Sequence, residues 1–215
     1  MKTPILIIIV LLSLQAFTQD TATFYYTSKW ELTQGSETAT YYGKMWKNNQ
    51  GTYTAIDYYM SGQMQMSGFY KSMKTKIKHG LFSYYYENGV KKVEGLYIDN
   101  LAQGEWKYWD EKGKLTSIIS SKDNKMIGEQ EFHPNGKLKH SGNYKNNQKS
   151  GKWQYWDQDG RLIFEGQYVK GWRSGNWNRH LPDTTITVEY LKGTLLNDSG
   201  TLVRKRDQGR TIYNN

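Results

Sequence analysis

Four histidines, His79, His133, His140 and His180, are the side chains of this chain best suited to proton transfer or metal ligation near neutral pH. Either role needs partners at a fixed spacing, and none of the four has them. His79 precedes a glycine where the equivalent residues are Gln103, Ile127, Ser150 and Ser174. His133 adjoins a Pro-Asn-Gly turn, His140 is expected to face Glu131 across a hairpin, and His180 stands alone. The carboxylates Asp110, Glu111, Asp157 and Asp159 gather at predicted turns, where Asp is favoured because its side chain caps the backbone two residues on. The 21 glycines recur by repeat rather than as a phosphate-cradling loop, and no strand-to-helix switch follows them. With no cysteine, the chain has no thiolate ligand, disulfide or thioether lipid anchor. The reading is that the chain has no catalytic residue, no cofactor and no metal site.

Recognition chemistry is better represented. Tyr85, Trp109, Phe132 and Trp156 each stand four residues before a turn glycine, once per repeat. Rings supply contact area, and the expected neighbours Lys92 and Lys139 would steer an anionic partner. These four form the candidate partner-binding row.

A period of about 24 residues must position them. Three glycine columns carry it: Gly62, Gly89, Gly113, Gly136 and Gly160; then Gly68, Gly95, Gly142 and Gly166; then Gly80, Gly104, Gly128, Gly151 and Gly175. The first column marks hairpin turns. Asn88-Gly89, Asn135-Gly136 and Asp159-Gly160 are the dipeptides a two-residue type I′ turn prefers, and Ser61-Gly62 and Lys112-Gly113 are weaker versions.

Counting outward from two-residue loops sets the register. Tyr155 then faces Phe164, Trp156 faces Ile163, Trp153 faces Gly166, Tyr84 faces Val93, Tyr85 faces Lys92 and Phe82 faces Gly95. A large ring opposite a second-column glycine explains the glycine, since the ring needs the space a side chain would fill. One face, carrying Trp153, Tyr155, Leu162, Phe164 and Tyr168, is assigned to the core; the candidate row lies on the other, paired with Lys92, Thr116, Lys139 and Ile163. The unit at Gly113 departs from the pattern, with Ile119 and Ser121 for the expected glycine and tyrosine. The unit at Gly62 has a longer second loop, Lys71 to His79.

The ends read differently. Lys2, an apolar run from Ile5 to Leu14, and Ala16, Thr18 and Gln19 form a secretory signal peptide, too short to span a membrane. The expected organisation is a signal peptide at 1–19, N-terminal capping strands at 20–50, hairpin repeats at 51–180 and C-terminal capping strands at 181–215. Gly43 to Tyr53 looks like an eroded half-unit, Thr184 to Tyr190 alternates as a strand, and Asn197 to Gly200 is a further turn signal. The net charge of +9 favours anionic partners. The basic residues are spread from Lys44 to Arg210 without an arginine block, which argues against nucleic acid.

The run from Asn135 to Tyr144, then Gly151-Lys152-Trp153-Gln154-Tyr155-Trp156 and Asp159-Gly160-Arg161, resembles the bacterial MORN-repeat variant family over about residues 50 to 180. The resemblance implies an all-β fold of tandem antiparallel β-hairpin repeats in an elongated, curved meander sheet. It implies no catalytic residues. Some members are labelled antitoxin components, and related repeats are similar to protein- and lipid-binding scaffolds. The expectation is an exported, non-enzymatic scaffold at a bacterial envelope, periplasmic, outer-surface or secreted, with a protein partner. The alternatives are an acidic glycan or cell-wall polymer, and an antitoxin-like or immunity-like neutraliser. No transmembrane segment is expected in the mature chain.

Overall fold

The structure, a computed structural model, describes residues 21–72 and 74–196. The expected signal peptide and the turn signal at Asn197 to Gly200 lie outside the described residues. Sixteen strands follow one another: β1 (Ala22–Tyr26), β2 (Leu32–Thr33), β3 (Tyr41–Lys47), β4 (Tyr53–Tyr59), β5 (Met64–Tyr70), β6 (Gly80–Tyr85), β7 (Lys91–Ile98) and β8 (Leu101–Trp109), then β9 (Leu115–Lys122), β10 (Lys125–Phe132), β11 (Leu138–Lys145), β12 (Gln148–Trp156), β13 (Leu162–Val169), β14 (Trp172–His180), β15 (Thr185–Leu191) and β16 (Thr194–Leu195). They make one open antiparallel sheet in which neighbours in sequence are neighbours in space, save that β1 lies between β2 and β3. At about 4.8 Å per strand the sheet is roughly 70 Å long. No α-helix occurs among the described residues. The expected half-unit at Gly43 to Tyr53 is the centre of a complete hairpin, β3–β4.

The glycine turns differ from the two-residue loops expected of them. The Tyr86 N–H donates to the Val90 carbonyl at 2.8 Å and the Gly89 N–H to the Tyr86 carbonyl at 2.9 Å, enclosing three residues. The same pair of bonds recurs at Tyr59, Asp110, His133 and Asp157. Only the glycine is left-handed, with φ of +83° at Gly89 and +84° at Gly136, while Asn88, Asn135 and Asp159 keep negative φ. This is a type I turn closed by a left-handed residue. Asp110 and Asp157 favour it, because each carboxylate accepts two backbone N–H groups across its own loop.

The longer loop slips the pairing next to the turn. Tyr85 faces Lys91, Trp109 faces Leu115, Phe132 faces Leu138 and Trp156 faces Leu162. The residues expected there, Lys92, Thr116, Lys139 and Ile163, are the extra residues of a β-bulge. Beyond the bulge the counted register returns, so Tyr84–Val93, Phe82–Gly95, Tyr155–Phe164, Trp153–Gly166 and Glu131–His140 pair as expected. Residues opposite each other share a face, so Leu162 leaves the expected core face and joins Trp156.

Type I′ turns lie on the opposite edge of the sheet. Both residues of Asp99-Asn100, Asp123-Asn124, Asn146-Asn147, Lys170-Gly171 and Lys192-Gly193 have positive φ. Asn and Asp tolerate that conformation better than most side chains, which explains Asx at three of the five.

The core is built on one face, the front, by rings stacked along the sheet. Tyr70, Phe82, Tyr97 and Trp106 meet edge to face at 5.4, 5.2 and 4.8 Å between centroids. Tyr144, Trp153, Tyr168, Trp177 and Tyr190 do the same at 5.4, 5.7, 5.1 and 6.1 Å. Each such pair contributes about 0.5–1.5 kcal/mol beyond its burial. Phe82, Trp153 and Trp177 are fully buried, and the described residues form no second layer over their sheet. Two devices achieve this. Phe82 lies flat on Gly68, Trp106 on Gly95, Trp153 on Gly142 and Trp177 on Gly166, where a Cβ would fall inside the ring. Cations close the top: Lys78 sits 4.8 Å from the Tyr97 ring, Lys149 3.8 Å from Trp153, and Arg173 5.0 Å from Trp177.

Candidate partner-binding surface

Tyr85, Trp109, Phe132 and Trp156 each follow a front-face residue by one position, so the strand pleat turns them to the back. Three of them are pinned through their carbonyls by the neighbouring hairpin. Tyr59 donates its hydroxyl to the Tyr85 carbonyl at 2.8 Å, Tyr86 to that of Trp109 at 2.9 Å, and the His133 Nε2–H to that of Trp156 at 2.9 Å. His133 is thus a structural clasp. Their rings join no core cluster and are half-buried.

The slipped register changes what flanks them. Lys92 stands 5.2 Å over the Tyr86 ring and Lys139 donates to Glu131 at 2.6 Å, so neither expected cation flanks the row. The row is instead interleaved with Lys91, Leu115, Leu138 and Leu162. Tyr58 and Met64 continue it by one hairpin. The result is one largely apolar band across five hairpins, with Lys91, whose amine lies 5.7 Å from the Trp109 ring and hydrogen-bonds Glu94, within it and Lys44 5.9 Å over the Tyr58 ring at its end. That bond, helped by the Ser83 hydroxyl, holds the Glu94 carboxyl below its usual range. Counting residues could not find Leu115, Leu138 and Leu162 as members, because it assumed the shorter loop.

The titratable groups form structural contacts. His140 lies between two carboxylates, with Nε2 3.5 Å from Glu129 and Nδ1 3.4 Å from Glu131, against the rings of Trp153 and Tyr155. Tyr144 donates to Glu129 at 2.7 Å, and the Lys139 hydrogen bond lowers the Glu131 carboxyl. His79 contacts Asp99 at 3.2 Å. His180 does not stand alone: Nε2 is 3.4 Å from Glu165 and Nδ1 3.1 Å from the Thr185 hydroxyl. No group of three or more His, Asp or Glu side chains arranged to hold a metal ion occurs among the described residues. No described helix is long and apolar enough to cross a membrane.

An open single sheet of similar hairpins, each stacked on its neighbours, defines a repeat protein. The family comparison agrees: residues 78–99, 102–123, 128–146 and 149–170 each match the family described as MORN repeat variant. No curated protein matches the chain. One solved structure, described as the crystal structure of a GtfA/B complex bound to UDP and GlcNAc, is similar over 52% of this chain and 22% of that one. Its identity is 12% and its TM-score 0.25, a likeness too slight to inform function.

Proposed function

We propose that the chain is an exported, non-enzymatic scaffold that binds a protein partner at the bacterial envelope through the back-face band. The observation that carries this reading is the band itself: Tyr85, Trp109, Phe132 and Trp156 alternate with three leucines on a face with no core of its own. The front rings already bury one another under their capping cations. Bands of this composition, with rings and few charges, suit the centre of a protein interface. Export is supported by Lys2 and the Ile5 to Leu14 run.

The test is photo-crosslinking in native envelopes from a probe placed at Leu138, beside Phe132, and from one at Gln154, outside the band. A protein captured from Leu138 and not from Gln154 supports the reading. Capture from Gln154 alone, or a glycan polymer recovered in place of a protein, overturns it.

A further inference from the structure

The ring ladder stops once. Trp106 on β8 and Tyr144 on β11 end its two halves, and β9 and β10 between them contribute no ring to it. Ser121 occupies the place taken elsewhere by Tyr97, Tyr144 and Tyr168. In the place of the flat ring stands Glu129, and it faces Ile119 where the other rings face glycine. The capping cation is missing from the same stretch, where Ala102 and Met126 align with Lys78, Lys149 and Arg173. At β10 these changes depend on one another, since without a ring the bare glycine has no purpose and a cation at Met126 has nothing to cap, while Ala102 leaves the Trp106 ring without the cation that its counterparts have. Buried side chains accordingly form two separate clusters, one around Met66 and Phe82 and one around Trp153 and Trp177. Among the described residues, Glu129 is held from the C-terminal side, by Tyr144 and His140. Backbone pairing, in contrast, runs unbroken from β8 through β9 and β10 to β11.

We infer that β9–β10 is a flexible seam: the sheet consists of two cooperatively packed halves joined by backbone pairing across strands that lack the ring ladder. In a repeat array each unit is coupled only to its neighbours, so one weak interface divides the cooperative unit in two while the hydrogen-bonded sheet stays continuous. The halves are β3–β8 and β11–β15. The back-face band crosses the seam between Trp109 and Phe132, so bending there changes the spacing of its rings.

Hydrogen exchange of the full chain, read by mass spectrometry at increasing denaturant, tests the seam without any partner. The expected result is that β9–β10 amides are protected about tenfold less than those of β6–β8 and β11–β13, and that the two halves open at different denaturant concentrations. A single opening event shared by β4 to β14, with β9–β10 as protected as its neighbours, overturns the inference. The triple variant Ile119→Gly, Ser121→Tyr, Glu129→Trp should merge the two transitions and raise β9–β10 protection. Two transitions persisting in the folded variant would show that the missing ladder is not their cause. Should the variant fail to fold, the exchange pattern of the natural chain decides alone.

Discussion

The indole of Trp177 lies flat on the α-carbon of Gly166, from the strand that follows it, although the residue facing Gly166 from the preceding strand is Trp153. Phe82, Trp106 and Trp153 lean back in the same direction, onto Gly68, Gly95 and Gly142. The cause is a second bulge, two residues before each tryptophan, where Gly104, Gly151 and Gly175 take φ between +66° and +70° and re-aim the side chain. Gly166→Val should therefore clash with Trp177 and cost about 1–3 kcal/mol by overpacking. Chemical denaturation measures it. Combining Gly166→Val with Trp177→Leu should lose clearly less than the two single losses added together, because the shorter side chain vacates the site. Full additivity would refute the contact.

A different physics governs Gly171. It sits in a type I′ turn with φ of +82°, where an added Cβ would meet Gln148 at an ordinary 3.7 Å, so space is ample and conformation is the constraint. It lies outside the three glycine columns, yet its backbone conformation still makes Val costly there. A β-branched residue in the left-handed region costs on the order of 1–2 kcal/mol. Asn discriminates between the two positions: Gly171→Asn should be tolerated, as Asn100, Asn124 and Asn147 are at equivalent positions, while Gly166→Asn should destabilise as Val does. Melting temperatures of the four variants check this.

The repeat, the hairpins, the direction of the faces and the cross-strand pairs Phe82–Gly95 and Trp153–Gly166 were legible because glycine and aromatic residues recur at fixed spacing, whereas the glycine on which each ring lies, one strand earlier, was not. The turn geometry was not. Asn-Gly and Asp-Gly favour a two-residue loop in isolation, yet side chains here cap a three-residue one, Asn88 and Asn135 accepting the Val90 and Lys137 N–H and Asp110 and Asp157 two N–H groups each, and the extra residue is absorbed by a bulge that leaves no mark on spacing. That exchange hid Leu115, Leu138 and Leu162 and credited the row with lysines that point elsewhere. Glu129 was missed for a related reason: the unit beginning at Gly128 is one residue shorter up to Gly151, so counting from the glycine points to Gln130 instead.

Asp57 places a carboxylate over Gly43 beside the Tyr26 ring, where later repeats place a ring. Burial pushes its carboxyl up to about 6 from 3.8, against the opposing pull of Lys76 and Lys78. Between those two values the unfolded chain is ionised while the folded chain holds its proton, so folding is penalised progressively as pH rises to about 6 and constantly above it. The penalty is on the order of 2–3 kcal/mol. Asp57→Asn should thus be more stable than the natural chain at pH 7 and show a flatter dependence between pH 4 and 6. Denaturation series across that range would reveal parallel curves if the raised carboxyl had no part in stability.

The final prediction separates the band from the register first expected of it. If Phe132 were flanked by Lys139, a partner would feel loss of that lysine and ignore Leu138. In the structure Leu138 faces Phe132 within the band, while Lys139 is the bulged residue bound to Glu131. Leu138→Ser should therefore weaken the crosslinked partner's binding by roughly tenfold or more, as expected for an apolar interface residue worth over 1 kcal/mol. Lys139→Ser should change it little. Trp109→Ala and Trp156→Ala should behave as Leu138→Ser does, with melting temperatures close to that of the natural chain, because both rings lie outside the core clusters. Titration calorimetry with the purified partner and thermal melts of each variant provide both readouts. A drop in melting temperature without a drop in affinity would make the band part of the fold's own packing and move the binding surface to the front face.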